Sequence, residues 1–157
     1  MWSAEQRRIA LFPGTFDPFT LGHQSLVERV LTCADAVVIA IGINEKKQTY
    51  YTLEQRVSSI QRLYADEPRV KVITYSGLTV DVAQQEGASF ILRGVRSVID
   101  FEYEKSIADV NRQLTGIETL LLFTEPAYAH ISSSVVRELL HFGRDVSAFV
   151  PKETQLY

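Results

Sequence analysis

The sequence predicts an α/β protein, a doubly wound, Rossmann-like sheet of five parallel strands with helices on both faces, in a single domain spanning 1–157. Three observations carry this reading. Short apolar runs alternate five times with longer amphipathic segments, the pattern of repeated strand–helix crossovers. The run Ala36-Val37-Val38-Ile39-Ala40-Ile41 has no polar alternation, as a strand covered on both faces requires. The stretches rich in polar residues and glycine fall just after the apolar runs, where open parallel sheets bind ligands.

The elements follow in order. Ile9-Ala10-Leu11-Phe12 reads as the first strand, closed by Pro13-Gly14. A helix is expected over 22–32, with Leu26, Val27, Val30 and Leu31 on one face. The second strand is 36–41. Thr52 and Gln55 have the spacing of a capping box, and the helix they open carries Val57, Ile60, Leu63 and Tyr64 and must stop before Pro68. A third strand over 70–75 leads to a helix over 78–86 that Gly87 ends. Phe90-Ile91-Leu92 is a short fourth strand. A helix over 100–114 places Ile107, Val110 and Leu114 on one face. The fifth strand is 119–123, and a helix over 134–141 ends at Gly143, with a helical turn over 146–149 before Pro151. Residues 1–7 and 152–157 are expected to be peripheral tails.

Composition narrows the function. At 157 residues the chain fits one domain and can bury about two-thirds of its unfolded surface. It is 46% hydrophobic, 10% aromatic and 22% charged, which excludes a disordered chain, a collagen-like fibre and a coiled coil. A net charge of −3 argues against a general nucleic-acid binder and leaves room for a small cationic pocket. The longest apolar run, 36–43, falls well short of the roughly 20 residues that span a bilayer. The single Cys33 rules out an internal disulfide. No apolar signal run follows the N-terminal residues, so the cytoplasm is the expected location.

The chemistry concentrates at the strand ends. After the first strand, Gly14 lets the backbone approach a ligand, while Gly22 and His23 fall in the first turn of a helix, where free N–H groups attract anions. After the second, Lys46 and Lys47 could hold a phosphate as mobile point charges. After the fourth, Arg93 and Arg96 flank Gly94-Val95 and suit bidentate phosphate binding. After the fifth, Ser132, Ser133 and Ser134 supply a helix cap plus spare hydroxyls. The sequence contains no nucleophile–base triad and no ligand cluster with the spacing of a metal cage.

Several strings together carry a resemblance. Thr20-Leu21-Gly22-His23 is the T-x-G-H form of a nucleotidylyltransferase signature. Pro13-Gly14-Thr15-Phe16-Asp17-Pro18, Arg93-Gly94-Val95-Arg96 followed by Asp100-Phe101-Glu102-Tyr103-Glu104, and Ile131-Ser132-Ser133-Ser134 accompany it in order. Over 11–151 the chain resembles the bacterial phosphopantetheine adenylyltransferases of that superfamily. The loop after the second strand lacks the prolines often seen there, and Tyr128-Ala129-His130 departs from the family's aromatic–Ser–Phe wording.

The resemblance implies transfer of AMP from ATP to 4′-phosphopantetheine, giving 3′-dephospho-coenzyme A and pyrophosphate, by direct in-line attack without a covalent intermediate. It implies Mg²⁺ as cofactor, a homohexamer and coenzyme A as a feedback ligand; the net charge and the short apolar runs add the expectation of neither nucleic acid nor membrane as partner. By this resemblance His23 is catalytic and contacts ATP. Thr15, Phe16, Gly94, Val95, Arg96, Glu104, Tyr128, Ala129, His130, Ile131, Ser132, Ser133 and Ser134 face ATP. Thr15, Lys47, Thr79 and Arg93 face the acceptor. Lys47 stands five residues before Thr52, with Lys46 as the alternative, and His130 is expected at the rim. The competing readings are another small-molecule nucleotidylyltransferase and a non-catalytic nucleotide-binding module.

Overall fold

A computed structural model describes residues 6–155. Strands β1 (Ile9–Gly14), β2 (Ala36–Gly42), β3 (Val70–Tyr75), β4 (Phe90–Val95) and β5 (Glu118–Phe123) form one sheet in the order β3-β2-β1-β4-β5. Every neighbouring pair is parallel. The winding reverses between β1 and β4, so a crevice opens at the carboxyl ends of these two strands. Helices α1 (Leu21–Val30), α2 (Leu53–Leu63), α3 (Thr79–Gln85), α4 (Val98–Thr115) and α5 (Ser133–His141) connect or follow the strands. The expected fold class is the observed one.

The uninterrupted apolar run of β2 is explained by two cores. Val37, Ile39 and Ile41 pack with Ala10 and Phe12 of β1 and with Leu26, Val27, Val30 and Ile60 of α1 and α2. Val38 and Ala40 point the other way, to Leu11, Ile91 and the α3 residues Val80, Val82 and Ala83. Each fully buried aliphatic side chain contributes roughly 1.5–3 kcal/mol, so the central strands anchor whatever their ends carry.

Several boundaries differ from the sequence reading. β1 runs on through Pro13 and Gly14 because these pair with Ala40 and Ile41 of β2. β4 runs on to Val95 because Arg93, Gly94 and Val95 pair with Leu121, Leu122 and Phe123 of β5. Arg93 is therefore held within a strand rather than in a loop after it. α4 starts two residues early, at Val98, with Ser97 capping Asp100 N–H at 3.2 Å. The expected helical turn over 146–149 is a single hydrogen-bonded turn, Phe149 N–H to Val146 O at 2.9 Å, and Phe149 O in turn receives Leu21 N–H at the start of α1. Lys152–Thr154 is a short 3₁₀ helix docked on α2, with Thr154 buried and Arg62 donating to Glu153 O, so this stretch is not a peripheral tail. Residues 1–5 and 156–157 of the expected tails lie outside the described residues.

The outer side of α4 departs most. Ile107, Val110 and Leu114 share a face as their spacing requires, yet they are exposed, together with Val98, Ile99 and Tyr103. Among the described residues of α4, only Glu104 is buried.

Candidate active site

A cavity of about 410 Å³ opens at the carboxyl ends of β1 and β4. Thr15, Phe16, His23, Lys47, Arg93, Gly94, Arg96, Glu104 and Ile131 to Ser134 all line it. His23, Lys47, Arg93 and Ser133 thus share one hollow, although they come from α1, the loop after β2, β4 and α5. Lys47 lines the cavity and Lys46 does not. Val95, Thr79, Tyr128, Ala129 and His130 lie off its wall. Val95 is buried and its carbonyl accepts Thr124 N–H. Thr79 meets the Tyr75 hydroxyl at 3.0 Å. Tyr128 ends a 3₁₀ turn, Pro126–Tyr128, that the sequence did not signal. His130 is exposed, with its ring 6.2 Å from that of Phe149.

His23 owes its orientation to the start of α1. Thr20 and His23 form a capping box: His23 N–H donates to Thr20 Oγ1, and His23 Nδ1 accepts Thr20 N–H at 3.0 Å. An Nδ1 that accepts is unprotonated, so the neutral ring carries its proton on Nε2. The ring packs among Phe12, Phe16 and Phe19, with centroids 6.0, 5.1 and 5.2 Å away. That burial, and then the positive charges of Arg93 and Arg96, lower its pKa from 6.5 to about 3. His23 is therefore a neutral N–H donor near pH 7. Phe16 adopts φ 50°, a conformation uncommon for a non-glycine residue. This places its ring against His23, over Gly14, where a Cβ would come within 2.8 Å of Phe16 Cζ. Phe16 is only 4% exposed; its ring packs edge-on against the imidazole and the residue lines the cavity.

Arg93 is fixed by three of its five N–H bonds. Nε and Nη2 donate to the two oxygens of Glu104 at 2.9 and 2.8 Å, and Nη1 donates to Pro13 O at 2.7 Å. Two N–H bonds remain for a ligand. The sequence reading gave Glu104 to the nucleotide; in the structure both its oxygens hold Arg93. Gly94 beside it lets β4 approach α1, since a Cβ there would lie 2.5 Å from Leu26 Cδ1. Arg96 is steadied by Asp100, whose Oδ2 meets Arg96 Nε at 3.3 Å and the Arg96 backbone N–H at 3.1 Å.

The three serines have separate tasks. Ser132 caps α5 through Val135 N–H, Ser133 Oγ donates to Pro18 O at 2.8 Å, and Ser134 Oγ accepts Arg137 Nη2 at 3.1 Å. Arg137 lines the cavity and escaped the sequence reading; Asp17, Asp100 and Tyr103, which stand in its motif strings without an assigned role, are on the same wall. Arg137 stands one helical turn after Ser134 on α5, and that spacing was its only signal. Two further ties join α1 to the end of β5 and the turn after it: Ser25 Oγ to Glu125 Oε1 at 2.6 Å and Arg29 Nη1 to Phe123 O at 2.8 Å.

Among the described residues no group of three or more His, Cys, Asp or Glu could hold a metal ion. The carboxylates on the cavity wall already have partners: Asp17 takes the Tyr50 and Tyr51 N–H groups, Asp100 takes Arg96, and Glu104 takes Arg93. What the arrangement offers is a ring of N–H donors and cations around a space for phosphates.

Comparison with known proteins identifies the family. The family model described as cytidylyltransferase-like matches residues 11–139. Proteins named phosphopantetheine adenylyltransferase are similar over nearly their whole length. That of Phocaeicola vulgatus is 61% identical over 92% of this chain and 96% of its own. That of Bacteroides fragilis is 58% identical over 95% and 99%, and that of Flavobacterium johnsoniae is 49% identical over 92% and 95%. With a family model over 11–139 and relatives of that identity over nearly the whole chain, the chain belongs to the cytidylyltransferase-like family and, within it, to the phosphopantetheine adenylyltransferases.

Proposed function

We propose that this chain, acting as a single domain, is a nucleotidyltransferase of coenzyme A biosynthesis. It moves the adenylyl group of ATP to the phosphate of 4′-phosphopantetheine and releases pyrophosphate and 3′-dephospho-coenzyme A. The observation that carries this reading is the convergence of His23, Lys47, Arg93, Arg96 and the three serines on one cavity, in a chain whose relatives bear that enzyme's name.

The chemistry needs no protein nucleophile. A phosphate monoester is largely dianionic near neutral pH, because its second pKa is about 6. One of its oxygens attacks the α-phosphorus of ATP, the bond from that phosphorus to the bridging oxygen breaks, and pyrophosphate leaves with the electron pair. The barrier is the approach of one anion to another, so the protein must align them and offset charge. His23 Nε2–H donates to the α-phosphate oxygen on which charge grows. Its neutrality suits the task, because a neutral imidazole N–H gives a hydrogen bond without transferring its proton. Lys47, the two remaining N–H bonds of Arg93, and Thr15 hold the attacking phosphate. Arg96 and Ser132 to Ser134 hold the β- and γ-phosphates, and the backbone of Phe16, Gly94, Val95 and 128–131 borders the nucleotide. Thr79 belongs to the acceptor's far end, beyond the phosphate cavity. Mg²⁺ would offset charge on the phosphates of ATP; Asp17, Asp100 and Glu104 on the cavity wall are bonded to Tyr50 and Tyr51, Arg96 and Arg93, so the ion would rely on oxygens of ATP and water.

Coenzyme A shares the phosphopantetheine arm of the acceptor and is the expected feedback ligand. The exposed apolar face of α4 supports a homohexamer, and among the described residues no helix is long and apolar enough to cross a membrane. A cytoplasmic location fits both. The test is pyrophosphate release with ATP, Mg²⁺ and 4′-phosphopantetheine, with nicotinamide mononucleotide and glycerol 3-phosphate as control acceptors. His23→Ala is expected to lower kcat at least about 100-fold, the scale of losing a transition-state donor. Near-normal turnover of that variant would remove His23 from its role, and turnover of a control acceptor instead would reassign the substrate.

A further inference from the structure

We propose that Asp17 is a positioning residue that sets the Lys47 loop in place for the phosphorylated acceptor, an inference that rests on the acceptor role given to Lys47 above. The loop after β2 reaches far into solvent. Its hydrogen bonds over 44–49 are local: Lys46 N–H to Asn44 Oδ1, Lys47 N–H to Asn44 O, and Thr49 Oγ1 to Tyr51 O. Among the described residues, the hydrogen bonds that leave this loop between Asn44 and the α2 cap at Thr52 both end on one carboxylate. Asp17 Oδ2 accepts Tyr50 N–H at 2.7 Å and Oδ1 accepts Tyr51 N–H at 2.8 Å.

That carboxylate is itself immobilised. Asp17 is 3% exposed, and the segment that bears it is gripped from two helices. Arg56 of α2 donates to Thr15 O, Arg137 of α5 to Asp17 O, and Ser133 of α5 to Pro18 O, each at 2.8 Å. The same segment lines the cavity next to His23. Asp17 therefore fixes the Lys47 loop, three residues downstream of the lysine, to a segment that lines the cavity beside His23. Two short bonds to one ionised group are charge-assisted. An amide cannot replace the carboxylate here: Asn has one acceptor oxygen, and its NH₂ would face the second backbone N–H donor to donor.

A buried Asp that only closes a loop would affect stability and leave Lys47 independent of it. The two cases separate in steady-state pyrophosphate release. Asp17→Asn is expected to raise KM for 4′-phosphopantetheine about tenfold or more, the scale of one charge-assisted hydrogen bond, with KM for ATP changed less than about threefold. Lys47→Ala is then expected to add less than about threefold in the Asp17→Asn background, because residues that act through one another are not additive. Equal rises in both KM values, or the same Lys47→Ala penalty in both backgrounds, would overturn the proposal. If Lys47→Ala has no effect in the otherwise unaltered protein, the acceptor reading of Lys47 falls and takes this inference with it.

Should Asp17→Asn fail to fold, amide hydrogen exchange on the unaltered protein decides. A tether that serves the acceptor must be tightened by it, since coupling is reciprocal. Exchange at Tyr50 and Tyr51 is expected to slow when 4′-phosphopantetheine alone is added, and unchanged rates would refute the tether.

Discussion

A histidine that stays neutral well below its usual pKa leaves a mark on stability as pH falls. In the unfolded chain His23 takes up a proton near its ordinary value of 6.5, whereas in the folded protein burial and the nearby arginines delay this to about 3. Its contribution is therefore fully present above pH 6.5 and is lost progressively as pH drops from there toward 3, because the unfolded state binds the extra proton. One proton of difference corresponds to about 1.4 kcal/mol per pH unit. Integrated from pH 7 to pH 5, the loss assigned to His23 is about 2 kcal/mol. The comparison protein is His23→Gln. Gln55 already occupies the same position in the capping box of α2 and accepts Thr52 N–H at 2.9 Å, so glutamine can keep the start of α1 while removing the titration. Urea unfolding of both proteins at pH 7, 6 and 5 reads the effect, and all other groups cancel in the difference. The gap between the two is expected to shift by about 2 kcal/mol across that range. A shift below about 0.5 kcal/mol, within the usual error of such differences, would mean that the folded ring titrates normally, and the account of its environment would be wrong.

Two other perturbations follow from the same geometry. Arg93→Ala is expected to raise KM for 4′-phosphopantetheine and also to lower the melting temperature. It strands Glu104, whose side chain is 8% exposed against 33% for Arg93, without its partner, a loss of roughly 1–3 kcal/mol for a half-buried pair. An unchanged KM would remove Arg93 from the acceptor, and an unchanged melting temperature would deny the clamp. On the outer side of α4, Ile99→Glu is expected to dissociate the proposed hexamer, because Ile99 is 80% exposed within one chain and a charge buried in an apolar interface is costly. Light scattering that still reports the full assembly would exclude this face as an interface.

Much of the site was legible because its chemistry is written in short strings at predictable places. His23, Lys47, Arg93 and the three serines each follow an apolar run, and a doubly wound sheet gathers those positions at one edge. The ties that hold them were not legible. Asp17 with Tyr50, Arg56 with Thr15, Ser25 with Glu125 and Arg137 with Asp17 join residues 33, 41, 100 and 120 positions apart, and no local period encodes such a meeting. The extension of β4 through Arg93 depended on pairing with β5, which apolar content alone did not mark. Periodicity in α4 identified one apolar face correctly but is silent about what covers it. Tyr128 to His130 carried a motif position without a telling side chain, so only the folded chain reports that they stand off the phosphate wall.

The double duty of the imidazole has a mechanical consequence. The ring proposed to donate to the phosphate also closes the first turn of its own helix, so its rotamer is settled as soon as α1 forms, before any ligand arrives. Binding then has little side-chain freedom left to freeze. In exchange, fraying of that single turn would disarm the enzyme while the sheet beneath it remained whole.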